Sequence, residues 1–148
     1  MKIDERVEQL VRETLHWAVK RQSVEFEEAL KAFSDGSTRQ SALELLAAVA
    51  AFVSADICQG KPTPEQIRQL AEEVAEAEEW SSATSPEVEA FLDAVVTGRP
   101  MSGVLPANSA VVLAFVVAAS LLSLRPKDEG EWWFNYLDKV EAAIEAAG

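Results

Sequence analysis

The sequence predicts an all-α fold: one domain over residues 1–148, a bundle of about six helices around a central, very apolar helix near 108–124. Three observations carry this. Apolar residues recur at helical spacing in segment after segment. Cap residues, prolines and capping-box pairs stand where those segments begin. One stretch, Pro100 to Leu124, has no charged residue at all, and a shared interior is what such a stretch supplies to one-sided helices in water.

The first helix begins near Ile3, with Ile3, Val7, Leu10, Val11, Leu15 and Ala18 on its apolar side. Ser23 can cap a short segment over 24–33 carrying Phe26, Leu30 and Phe33, as a separate helix or as a continuation of the first. Ser34-Asp35-Gly36-Ser37 ends it, and Ser37 with Gln40 reads as a capping-box pair for the next helix, roughly 38–58. Leu45, Leu46, Val49, Phe52, Val53 and Ile57 spread over about half of that helix's circumference at roughly 100° per residue, which predicts extensive burial.

Thr63-Pro64-Glu65-Gln66 starts a further helix with Ile67, Leu70, Ala71 and Val74 inward. Ser85-Pro86-Glu87 starts another, with Val88, Phe91, Leu92 and Val95 inward, ending at Thr97-Gly98. Residues 98–107 form the longest expected loop. After the apolar helix, Asp128 and Glu131 read as a capping-box pair for a last helix, about 129–147, whose stripe is Trp133, Leu137, Val140 and Ile144. Ser41–Phe52 and Ser109–Ser120 are faintly alike, suggesting two hairpins with their apolar helices inside.

A membrane span needs roughly 20 apolar residues to cross about 30 Å of hydrocarbon. Ser102, Gly103, Pro106, Asn108 and Ser109 interrupt the first half of the uncharged run. The remaining helix would be roughly 25 Å long at about 1.5 Å per residue, short for a span and suited to a domain centre. Val111–Val117 has the composition of a buried strand too, but no second strand exists to pair with it.

A chain of 148 residues needs no disulfide or metal to bury a core, and its single cysteine, Cys58, cannot form an internal disulfide. Asp4, Glu5 and Glu8 break up any apolar start of the secretory kind, so the expected location is the cytoplasm. The net charge is −12, with no Lys or Arg between Arg68 and Arg99. That gap holds Glu72, Glu73, Glu76, Glu78, Glu79, Glu87, Glu89 and Asp93. Such a field repels phosphate backbones and anionic lipid and attracts basic proteins. Neither nucleic acid nor membrane is expected as a partner.

Candidate chemistry is sparse. Glu13 and His16 have the Glu-x-x-His spacing of di-iron bundles, but His16 is the only histidine and faces away from Val7 on the helical wheel. No glycine-rich phosphate loop or Ser/His/Asp set is present, and the sequence assigns no catalytic residue, cofactor or metal. Glu72-Glu73-x-x-Glu76 resembles the metal-binding half-motif of the all-helical MazG-like nucleotide pyrophosphohydrolases. The resemblance covers about one helix. It implies a second, Glu-x-x-Asp half, and the nearest candidate, Glu89 to Asp93, is one residue too long. A magnesium-dependent hydrolase using Glu72, Glu73, Glu76 and Asp93 is therefore the alternative reading.

The first reading is an acidic protein–protein interaction domain. An inhibitor, immunity protein or antitoxin-like binder of a basic partner would use such a surface, as would an adaptor or chaperone. Its binding residues are expected to be Glu72, Glu73, Glu76, Glu79, Glu87 and Glu89 for charge steering, with Trp132 and Tyr136 as aromatic anchors. Glu131–Tyr136 is the most unusual local feature, and its rings can instead pack inward on the apolar helix. A homo-oligomer using this surface as its subunit interface is a further expectation.

Overall fold

The computed structural model describes residues 1–100 and 106–147. Among them it is all-helical, with no strand. Seven α-helices follow in order: α1 (Glu5–Val19), α2 (Ser23–Leu30), α3 (Gly36–Cys58), α4 (Pro64–Ala77), α5 (Ser85–Thr97), α6 (Ala107–Leu124) and α7 (Trp133–Ala147), with single 3-10 turns at Lys31–Phe33 and Glu79–Ser81. The loop expected over 98–107 lies largely outside the described residues.

The chain between the first two helices does not continue through. Arg21 takes a left-handed conformation (φ 56°), and the Gln22 amide donates to the Trp17 carbonyl at 3.0 Å. This is a helix-closing motif usually made by glycine. The same closure ends α3 at Gln59 (φ 57°) and α5 at Gly98 (φ 74°).

Two helix starts differ from the sequence reading by their caps. Asp35, not Ser37, caps α3: its carboxylate accepts from the Thr38 amide at 3.0 Å, and the helix begins at Gly36. The Asp128–Glu131 pair does not form a box, because Glu131 is drawn to Arg125 and Lys139. The last helix starts at Trp133 instead, with Asn135 Oδ1 accepting from the Trp132 amide at 3.0 Å. In contrast, Thr63–Gln66 closes the capping box its spacing predicts; α5 begins at Ser85, and its capping box, between Thr84 and Glu87, was not read from the sequence.

The helices assemble around the α3–α6 pair, whose two members pack on each other. α1 lies on both, α5 lies on both, and α7 joins them from a further side. α4 forms an antiparallel hairpin with α5, and α2 folds back on α1. Along α6, every residue from Leu113 to Leu122 is buried. Phe115 of α6 meets Phe26 of α2 edge-on at 6.1 Å and Phe33 at 5.2 Å, so the short second helix is pinned by aromatic contacts to the centre.

α3 is the one described helix long and apolar enough to cross a membrane, with a mean hydropathy of 1.8. Here its Ala42, Leu45, Leu46, Val49, Ala50 and Val53 are buried in the interior.

Candidate functional site

The acidic helices present most of their carboxylates as their periodicity requires. With Ile67, Leu70, Ala71 and Val74 turned inward, Glu72, Glu73, Glu76 and Glu79 are exposed, and Glu89 is exposed on α5. Glu87 is only half exposed and is committed to the α5 cap, accepting from the Thr84 amide and hydroxyl. Arg68 sits against this face. Its guanidinium is held above its ordinary pKa, first by its bond to Glu65 and then by the charges of Glu65, Glu72 and Glu89. Asp93 pairs with Arg99. Among the described residues no three Asp, Glu, His or Cys side chains come together as a metal site, so the carboxylates of the hydrolase reading do not converge.

Glu78, at the end of α4, does not belong to this face. Its side chain is 3% exposed, receiving Trp80 Nε1 at 2.8 Å and Arg21 Nη2 at 3.1 Å. It locks the α1–α2 corner to the α4–α5 turn. Each carboxylate oxygen thus receives one donor, and pairing of this kind is what burial of a charge demands.

The aromatic cluster divides. Tyr136, expected as a docking anchor, is 3% exposed and unavailable to a partner. The inward face of α7 keeps Leu137, Val140 and Ile144 of the expected stripe and adds Tyr136, while Trp133 is only half-buried. The Tyr136 hydroxyl donates to Asp56 Oδ2 at 2.6 Å, and the Arg125 guanidinium lies 4.2 Å from the ring centre while also donating to Asp56 at 2.9 Å. Burial, then the Asp56 bond, pushes the phenol above its ordinary pKa; the Tyr136 bond, foremost, holds the Asp56 carboxyl below its own.

Trp132 is 64% exposed, as an anchor must be, and its companion is Phe134, 42% exposed. The two rings stack at 6.2 Å and 18°. Trp133, half-buried, meets Phe134 edge-on at 6.0 Å and 83°. Phe134 was not among the anchors read from the sequence, and its signal was only its place outside the apolar stripe. Beside these rings a shallow hollow of about 350 Å³ is lined by Gln9, Arg12, Glu13 and His16 of α1 with Trp133 and Phe134 of α7. His16 is half-buried and packs edge-on against Trp17 at 4.8 Å, rather than standing free in solvent.

Arg12 ties this surface together. It donates to Glu8 at 2.7 Å, Asp138 at 2.8 Å and Glu141 at 3.0 Å, and one further N–H reaches the Phe134 carbonyl at 3.4 Å. Three carboxylates around one guanidinium leave a surplus of negative charge. Desolvation, then the charge and hydrogen bond of Glu8, push the Glu141 carboxyl up to about 7.

A second hollow of about 540 Å³ opens where α3, α5 and α6 meet, with Leu43, Ala47 and Val95 on its walls. Its arginines, Arg39 and Arg99, are balanced by Glu44 on the lining and by Asp93 on Arg99, which leaves no net charge to select an ionic ligand.

The acidic face and the aromatic surface are separate. α4 and α5 pack on one another and on the central pair, whereas α7 has α3 and α6 as its main neighbours. No family model, curated protein or solved structure matches the chain.

Proposed function

We propose that this chain is a non-enzymatic interaction domain of the cytoplasm that binds a basic protein, in the manner of an inhibitor, immunity protein or antitoxin. One observation carries the reading. Trp132 and Phe134 stand exposed and stacked, beside an exposed carboxylate, Glu13, on a chain of net charge −12. Exposed aromatic side chains of this size are the residues that most often anchor protein interfaces. The acids of α4 and α5 need not touch the partner to contribute. A field of this magnitude acts over about a Debye length, roughly 8–10 Å at physiological salt, and steers encounter before contact. Steering and anchoring therefore divide between two surfaces, and they act on different rate constants.

The test uses the intact protein as bait in its native cell, followed by association kinetics with the partner recovered. Reversing Glu72, Glu76 and Glu79 to Lys should slow association by about tenfold or more at low salt and by much less at high salt. Trp132→Ala should leave association nearly unchanged and speed dissociation. A partner that is acidic, or rates indifferent to both changes, would refute the proposal.

A further inference from the structure

We infer that the hollow between α1 and α7 is a seat for one cationic side chain, an arginine or lysine of the partner, held against the aromatic corner of Trp133 and Phe134 and facing Glu13. This deepens the reading of the chain as a binder of a basic protein and rests on it.

The hollow has room for a long side chain to lie along it. About 350 Å³ is at the small end of ligand pockets, and this one is shallow. Its walls set the chemistry. Trp133 and Phe134 stand nearly perpendicular, forming a corner that Trp132 extends outward. The faces of such rings attract cations through their quadrupoles, and arginine stacks on them best. Glu13 lines the same hollow, is exposed, and has no hydrogen-bond or ion-pair partner among the described residues. A carboxylate next to an aromatic corner has one natural complement, a positive charge on an apolar stem.

Arg12 does not spoil this complementarity. Its N–H groups point to Glu8, Asp138 and Glu141, and its charge is more than matched by them. The surroundings remain negative and repel an anionic occupant. The same charge argues against a second copy of the chain, since docking two such surfaces would bring together molecules of −12 each.

The experiment titrates the full, isotope-labelled chain with Nα-acetyl-arginine amide and, in parallel, with its neutral isostere Nα-acetyl-citrulline amide. The backbone amide signals and the four indole N–H signals are the readout. Arginine should shift Trp132 and Trp133, saturating in the millimolar range, and leave Trp80, which is bonded to Glu78, unmoved. Citrulline should bind at least about fivefold more weakly, and Glu13→Gln should weaken arginine about threefold to fivefold without changing citrulline, as for an exposed charge pair. Equal shifts with both compounds would overturn the seat, because ring stacking alone would explain them. Shifts confined to α4 and α5 would overturn the seat while the basic-partner reading stands. No shift with arginine or with a nona-arginine peptide would remove both. Indole signals that move on dilution without ligand would show a second copy in the hollow and overturn the assignment to a partner side chain.

Discussion

Replacing Glu141 by glutamine should stabilise the protein at alkaline pH and do little at acid pH. Glu141 lies at the α1–α7 contact, facing Glu8, with Arg12 bridging the two. Its carboxyl titrates at about 7 in the folded chain, against an ordinary value of 4.5. A raised carboxyl pKa means that the fold holds a proton the unfolded chain has already released. The stability linked to that proton is complete below about pH 4.5 and is lost as pH rises through 7. The difference in proton affinity corresponds to about 3 kcal/mol. Solvent reaches the pair, and screening brings the expected effect down to about 1–2 kcal/mol. Glutamine keeps an oxygen for Arg12 and offers an N–H to Glu8, with no charge to repel. Urea unfolding of both proteins at half-unit steps from pH 5 to 8 should therefore show a gap in favour of E141Q that widens with pH. A gap independent of pH, or a variant less stable at pH 8, would mean that the Arg12 ion pair outweighs the repulsion, and the reasoning would fail.

Tyr136→Phe removes the donor to Asp56 and should cost about 1–2 kcal/mol in thermal or chemical unfolding, with Asp56 titrating closer to its ordinary range by NMR. Ser120→Ala should raise stability by about 0.5–1 kcal/mol, because the buried Ser120 hydroxyl has no hydrogen-bond partner among the described residues; a loss of stability in a urea titration would contradict that. Gln59→Gly should add about 0.5–1 kcal/mol by relieving a left-handed side-chain-bearing residue at the end of α3, read as a rise in melting temperature of a few degrees.

What was legible in the sequence was local. The Thr63–Gln66 cap involves residues three apart, and its chemistry is complete within that span. The narrow stripe Ile67, Leu70, Ala71, Val74 needed only the helical period, and these side chains are buried. Errors arose where a distant group competed for a local one. Glu131 has the spacing of a capping residue, but Arg125 and Lys139 claim it. Trp133 and Tyr136 both lie beside the Leu137, Val140 and Ile144 stripe on the helical wheel, so periodicity alone does not decide which of them is buried. Tyr136 turned to meet Asp56, eighty residues away, and Phe134 was left outside. The acidic character of α4 was equally readable, but the burial of Glu78 was not, since it depends on an Arg21 conformation and a Trp80 orientation that no periodicity encodes.

The central pairing also has a consequence for synthesis. α3 is finished at Cys58, whereas α6, against which it packs, begins only at Ala107. At about 5–20 residues per second, a translating ribosome leaves the first of these helices without its mate for several seconds. Throughout that interval the emerging polypeptide displays a segment that passes for a bilayer insert. Burial of that segment in the interior waits on the arrival of α6.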